Sequence, residues 1–499
     1  MDAKSPTLSL PAEPREFGFH VGGRWIATGK RETMERLSPG HDVPVTRITL
    51  CTRRDLDDAV AVARKTFNSR VWSGISGADQ ATVLLKAAAG IRARAEELAY
   101  WETLETGKPI SQSRAEVEGA AGIYEYGAGA ARCLHGDSFN NLGDKLFGIV
   151  TREPVGVVGL ITPWNFPFFI LAERIPFMLA AGCTIVAKPS EMTSATTLIM
   201  AEILTDAGLP DGVFNVVTGT GPEIGQAITE HMGIDQVSFT GSTAVGRHAL
   251  LASASNFKKV GLELGGKSPQ VVFADANLDD AADGVVFGIC HNAGQCCVSG
   301  SRLIVEKSVA AEFEKLLVEK FSRVRIGDPL DPRTQLGAIV SAAHNDKILG
   351  YIRKGGEEGA RLACGGDSVA SKAGRFIHPT LLADVTNDMA VAREEIFGPV
   401  LAMITFETQE EAIELANDNA YGLAASVWSS NLDKALGTIR RIQAGRTWIN
   451  TTITGGPEMP IGGFKQSGIG RDTGMYGVEE YMEVKSIHIA LGSRDHWVS

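Results

Sequence analysis

A disulfide-like cysteine pattern, a net basic charge and long apolar runs are all missing from this sequence. Its seven cysteines are an odd number, spread along 499 residues with no C-x-x-C pair, which argues against a disulfide framework and against a zinc site. The expectation is a reducing compartment, the cytoplasm, and no metal. A formal net charge of -11 offers no electrostatic footprint for nucleic acid or for an anionic membrane. The most hydrophobic stretch, residues 155–181, is broken by Pro163, Pro167, Glu173, Arg174 and Pro176, so no run is long enough to span a bilayer. Residues 1–17 carry Pro6, Pro11 and Pro14 and lack the apolar centre of a secretory signal. Neither an internal repeat nor a low-complexity segment is visible.

What remains is the composition of an ordinary soluble protein, 44% apolar and 21% charged, long enough for about two to four domains. Residues 19–50 read as short strands and turns, with Gly22-Gly23 as a hairpin. Leu56, Ala59, Val60, Ala63 and Phe67 then recur at helical spacing, as do Leu84, Ala88, Ile91, Ala95 and Leu98, with Gly107 as a stop. From residue 155 the pattern becomes strand, loop, helix, repeated. Strands are expected at 155–161, 184–187, 213–217, 236–239 and 259–262, and helices at 168–181, 194–206, 223–230 and 244–253. Apolar strands alternating with amphipathic helices predict an α/β fold with a parallel sheet covered on both faces. Ligands of such sheets bind at the carboxyl ends of the strands, where Trp164-Asn165, Lys188-Pro189-Ser190-Glu191, Gly219-Thr220-Gly221 and Thr240-Gly241-Ser242 fall.

No G-x-G-x-x-G follows the first of these strands. Instead Gly241-Ser242-Thr243-Ala244-Val245-Gly246 opens a helix, whose free N–H groups, with Ser242, can hold a pyrophosphate. Alone, a glycine-serine turn before a helix is more often an ordinary N-cap. The nucleophile candidate lies in Gly294-Gln295-Cys296-Cys297-Val298-Ser299-Gly300-Ser301-Arg302. A thiol is the most nucleophilic side chain near neutral pH, and Gly294 and Gly300 are expected to clear space for a substrate carbon. A lone cysteine is more often a small buried hydrophobe, so the neighbouring motifs decide.

Those motifs are Pro163-Trp164-Asn165-Phe166-Pro167, Lys188-Pro189-Ser190-Glu191, Phe239-Thr240-Gly241-Ser242, Leu262-Glu263-Leu264-Gly265-Gly266-Lys267 and the Cys297 stretch. They continue in Glu394-Glu395-Ile396-Phe397-Gly398-Pro399 and in Pro460 through Gly468. Together and in this order they resemble the NAD(P)-dependent aldehyde dehydrogenase superfamily, from about Phe19 to about Ile489. The resemblance implies a Rossmann-type cofactor domain (1–132 and 155–261), an α/β catalytic domain (262–478) and a small β oligomerisation element (133–154 and 479–499). It also implies a homodimer or homotetramer.

By the same resemblance Cys297 matches the nucleophile, Cys296 a variable pocket position, Asn165 the oxyanion donor beside the Cys297 N–H, and Glu263 the base that activates water for thioester hydrolysis. A glutamate at a strand end is otherwise an ordinary exposed residue, and base chemistry requires a pKa lifted by burial. Lys188 and Glu191 match contacts to the adenosine ribose, Gly225 a small residue beside the adenine, Ser242 a pyrophosphate contact, Glu395 the holder of the nicotinamide ribose with Phe397 beside it, and Trp164 a backbone border of the cofactor. Glu191 accepts from a 2'-hydroxyl and repels a 2'-phosphate, favouring NAD over NADP. Residues 451–460 are poor in aromatics and Ile461 stands where phenylalanine is common, which lowers the expectation of an aromatic cage for a quaternary ammonium. Glu173 replaces a common aromatic; it either meets a cationic aldehyde or pairs with Arg174. Two other readings stay open: a CoA-acylating relative, which needs no base at Glu263, and a non-catalytic protein on the same fold.

Overall fold

The computed structural model describes residues 8–370, 373–493 and 496–498. Residues 1–7, part of the stretch read for a leader, and a few C-terminal residues of the range assigned to oligomerisation lie outside them. Five parallel strands form the middle of an eight-stranded sheet: Val157–Ile161, Thr184–Lys188, Phe214–Val216, Gln236–Thr240 and Lys259–Glu263. Every residue of Val157–Ile161 and Thr184–Lys188 is buried, as expected for strands covered by helices on both faces. From Val157–Ile161 the chain steps to one side through Thr184–Lys188 and Phe214–Val216, then returns to the other side for Gln236–Thr240 and Lys259–Glu263. The strand order therefore reverses between Val157–Ile161 and Gln236–Thr240. A crevice opens at their carboxyl ends for that reason.

A second sheet has seven strands, six of them parallel in the order Thr380–Ala383, Val400–Phe406, Arg302–Glu306, Pro269–Val272, Ala424–Trp428 and Arg446–Ile449, with Arg361–Cys364 antiparallel on the edge. Residues 264–268 carry the chain from Glu263, the last residue of the first sheet's parallel set, into Pro269–Val272 of the second. The loop holding Cys297 connects helix Leu278–Cys290 to strand Arg302–Glu306. Both sheets thus deliver their loops to one region. A third sheet pairs Leu146–Pro154 with Met482–Ala490 over their full length, with Asp137–Phe139 on the other side.

Most expected elements stand within a residue or two. Gly22 and Gly23, at φ 62° and 75°, turn the hairpin between Phe19–Val21 and Arg24–Ile26, the backbone that a two-residue turn of this kind requires. The helix expected over 168–181 is two, Pro167–Ala172 and Ile175–Ala181. Pro176 has no N–H for the Ala172 carbonyl and its ring crowds that oxygen, so the first helix stops. The helix expected at 223–230 opens with a wide turn, Gly221–Gly225, before Gln226–Glu230.

Candidate active site

Helix Leu278–Cys290 runs out into three successive left-handed residues, Asn292, Ala293 and Gly294, at φ 50°, 54° and 71°. Such a conformation costs about 1–2 kcal/mol per non-glycine residue, so the turn has to be held from outside. Gln295 does much of this. Its side-chain oxygen accepts the Val340 N–H (2.9 Å), and its amide donates to the carbonyls of Asn292 (3.1 Å) and Ala338 (3.3 Å). The Asn292 amide donates to the carbonyls of Asn165 (2.9 Å) and Gln295 (3.1 Å), and the Asn165 amide donates to the Gln295 carbonyl (3.1 Å). Asn165 is thereby fixed against the Cys297 loop, with a second amide N–H still available.

The glycines of the loop serve a purpose other than the one expected. A Cβ on Gly294 would lie 2.2 Å from the Gly398 backbone, and one on Gly300 would lie 2.2 Å from the Gln270 amide. They admit neighbouring segments rather than a substrate carbon. Gly265 and Gly266 act likewise, since their Cβ atoms would meet the Glu395 carboxylate at 2.5 Å and the Cys297 carbonyl at 2.4 Å. The Glu263 loop, the Cys297 loop and the Glu395 segment therefore pack together only because side chains are absent between them.

Two cavities meet at this junction. One, of about 240 Å³, is lined by Trp164, Asn165, Gly241, Ser242, Lys347, Glu395 and Phe397 among others. The other, of about 200 Å³, is lined by Phe166, Phe169, Glu173, Arg174, Cys296 and Arg446 among others. Ile170, Thr240, Glu263, Leu264 and Cys297 belong to both walls. A thiol and a carboxylate thus stand where a ligand from one side can meet a ligand from the other.

Burial lifts the Glu263 carboxyl to about 8, and the nearby Asp472 carboxylate adds to the rise. Its Oε1 has no hydrogen-bond partner among the described residues. The sulfur of Cys296, then burial, then the carboxylates of Glu263 and Glu395 raise Cys297 well above the ordinary thiol value. Beside Glu263 the Arg174 guanidinium, 2% exposed, bonds Asp472 (2.9 Å), Thr240 Oγ1 (3.1 Å) and Glu173 (3.4 Å). Of the two roles expected for Glu173, the pairing with Arg174 is present, and Glu173 also faces the second cavity.

On the first cavity's side, Glu395 Oε1 accepts the Gly266 N–H (2.8 Å). Phe397 sits at φ 63°, its carbonyl bonded to His344 Nε2 (2.6 Å), and the Trp164 ring stands edge-on to both His344 and Phe397. Ser242 caps helix Thr243–Ser253 by accepting the Val245 N–H at 3.4 Å, and it lines the cavity as well. The N-cap and ligand readings of this turn are compatible. Lys188, Glu191 and Gly225 form a separate group one strand over: Lys188 Nζ reaches Glu191 (3.3 Å), and a Cβ on Gly225 would lie 3.7 Å from Lys188. Lys188 lies beside Ile161 in the sheet register and its carbonyl accepts the Thr162 N–H (3.2 Å), so both groups share one strand-end edge.

Several lining residues went unread in the sequence. Glu116, His291 and Arg446 face the second cavity, and His344 and Lys347 the first. They come from chain segments with no local motif.

The sequence model of the aldehyde dehydrogenase family matches residues 25–487. The chain belongs to that family. It is similar to the NAD-dependent aldehyde dehydrogenase of Sinorhizobium meliloti, at 49% identity and TM-score 0.96 over 98% of this chain and 97% of that one. A P. syringae indole-3-acetaldehyde dehydrogenase, solved as a mutant with NAD+ and IAA, is 40% identical at TM-score 0.94, covering 96% and 98%. A betaine aldehyde dehydrogenase from Staphylococcus aureus, solved with NAD+, is 35% identical at TM-score 0.93, covering 94% of each chain. No helix among the described residues is long and apolar enough to cross a membrane.

Proposed function

We propose that this protein oxidises an aldehyde to a carboxylic acid with NAD, through a thioester on Cys297 that water hydrolyses. The observation that carries the reading is the position of Cys297 and Glu263 on the shared wall of two cavities. The residues fit a dinucleotide. The first cavity receives the N-terminus of helix Thr243–Ser253, whose unpaired N–H groups favour an anion, and the buried Glu395 carboxylate is fixed at one oxygen by Gly266. Lys188 and Glu191 would hold the adenosine ribose, Gly225 lie beside the adenine, Ser242 meet the pyrophosphate, and Glu395, Phe397 and Trp164 border the nicotinamide end. NAD bound there supplies the hydride acceptor.

The chain's own residues do the rest. The Cys297 thiol gives its proton to solvent water as its sulfur adds to the aldehyde carbon, the C=O π bond breaking to leave a tetrahedral adduct with an oxyanion. The second Asn165 N–H and the Cys297 N–H stabilise that charge, as fixed donors in a closed site do. Once the acyl group is a thioester, Glu263 takes a proton from water, which attacks the acyl carbon and displaces the Cys297 thiolate. A carboxyl raised to about 8 by burial is matched to that task near neutral pH. The presence of this buried base favours hydrolysis over transfer to CoA.

Glu191 supports NAD over NADP, because its carboxylate repels a 2'-phosphate. The reading keeps a cofactor part (1–132 and 155–261), a catalytic part (262–478) and an oligomerisation element (133–154 and 479–499), although Lys259–Glu263 of the first sheet crosses the boundary at 261 and Gly468–Ile469 pairs with it. Met482–Ala490 is exposed at every residue after Met482, with Val484 at 70%. An edge of that kind asks to be covered, which supports a homodimer or homotetramer. Free cysteines at all seven positions fit a cytoplasmic protein. The test is reduction of NAD and NADP by the purified protein over short aliphatic, aromatic, ω-amino, ω-guanidino and ω-carboxy aldehydes. NADH formation with a marked preference for NAD supports the reading; no turnover of any aldehyde contradicts it.

A further inference from the structure

Among the described residues, the second cavity holds one cation that no carboxylate bonds directly. Arg174 is committed to Asp472 and Glu173, and Glu116 to Lys108. Arg446, at the start of strand Arg446–Ile449, lines the same cavity and has no carboxylate within 4.0 Å among the described residues. Of its five side-chain N–H donors one makes a long hydrogen bond, Nη2 to the Thr454 carbonyl at 3.4 Å. The guanidinium lies over the Trp448 ring at 5.3 Å, and Nη2 is 3.1 Å from where a Cβ on Gly455 would be. Gly455 also lines the cavity. The absent side chain at 455 leaves Nη2 uncovered on that side.

We propose that Arg446 reads a carboxylate carried on the aldehyde at the end remote from the carbonyl, so that the preferred substrates are ω-oxo carboxylates. A planar guanidinium with unused donors matches a carboxylate bidentately, and the apolar wall formed by Phe166, Phe169, Ile453 and Ile461 suits a methylene chain between the two ends. Glu173 is bonded to Arg174 and offsets the Arg446 charge only through space. Glu116 is paired with Lys108, and burial raises Glu263 to about 8, so near neutral pH neither leaves an unpaired negative charge on the wall.

The inference rests on the aldehyde oxidation proposed above, and its test separates the two. Turnover of 4-oxobutanoate and 5-oxopentanoate is compared with that of their methyl esters and of 4-aminobutanal, in the wild type and in Arg446→Met and Arg446→Lys. The expected result is a kcat/KM for the better oxo acid at least about tenfold above its ester, the scale of one charge-assisted contact. Arg446→Met should abolish that preference through the KM of the acid, and Arg446→Lys should restore part of it. Equal turnover of acid and ester in the wild type, or equal loss of both in Arg446→Met with Arg446→Lys no better, overturns the role of Arg446. Good turnover of esters alone overturns it while sparing the oxidation; no turnover of any aldehyde overturns both.

Discussion

Cys297 and Glu263 are the two ionisable residues common to both cavities, although one comes from a loop of the second sheet and the other from the last parallel strand of the first. Their meeting depends on Gly265 and Gly266, where a side chain would strike Glu395 or the Cys297 carbonyl. The chemistry therefore rests on backbone approach as much as on the reactive groups.

The elevated Glu263 carboxyl gives the reaction a definite pH dependence. Below about 8 it is mostly protonated and cannot take a proton from water, so hydrolysis should rise with pH and level off above that value. Stability runs the opposite way. A carboxyl raised by folding contributes stability that is complete in acid and is lost as pH climbs through about 8. Glu263→Gln should therefore lose the rising limb of the kcat profile, slow steady turnover at least about a hundredfold, and gain on the wild type in melting temperature as pH increases. A variant with an unchanged kcat profile refutes the base assignment.

The Cys297 loop should require glycine at 294 and accept it at 293. Gly294→Ala adds a methyl group 2.2 Å from the Gly398 backbone at φ 71°, and should cost about 2 kcal/mol or more. Ala293→Gly relieves a residue at φ 54° and should change stability by no more than about 1 kcal/mol. Urea unfolding of the two variants compares them directly; similar losses would mean that the left-handed turn is not what the loop depends on.

Removing the partner of a buried charge should be the most damaging change near the site outside the reacting groups. Asp472→Ala leaves the Arg174 guanidinium with Glu173 at 3.4 Å and Thr240. The loss should be about 3 kcal/mol, the lower end for a broken buried pair, because Glu173 remains. Thermal unfolding measures it, and a shift of under a degree would show that the Arg174–Asp472 bond carries little of the fold.

Much of this was legible in the sequence, for identifiable reasons. The apolar runs at 157–161 and 184–188 declare buried parallel strands because both faces are covered, and polar strand ends mark the crevice. Asn165, Glu263 and Cys297 sit within local motifs and could be named from them. Glu173 could be narrowed to two roles because its neighbour Arg174 was visible. Arg446, Glu116, His291, His344 and Lys347 could not be found this way, since packing brings them to the cavities from distant segments. Gly294 and Gly300 signal close approach, but only the fold reveals that the approaching groups are Gly398 and Gln270.

The most direct measurement of the central claim is the mass of the acyl-enzyme. Glu263→Gln protein is mixed with NAD and an aldehyde that the wild type turns over, quenched in acid, digested and analysed by mass spectrometry while NADH is followed by absorbance. The account predicts a burst of about one NADH per subunit and an acyl group on Cys297, absent in Cys297→Ala, whose NAD binding is retained. A burst with no adduct, or an adduct on Cys296 alone, would contradict it.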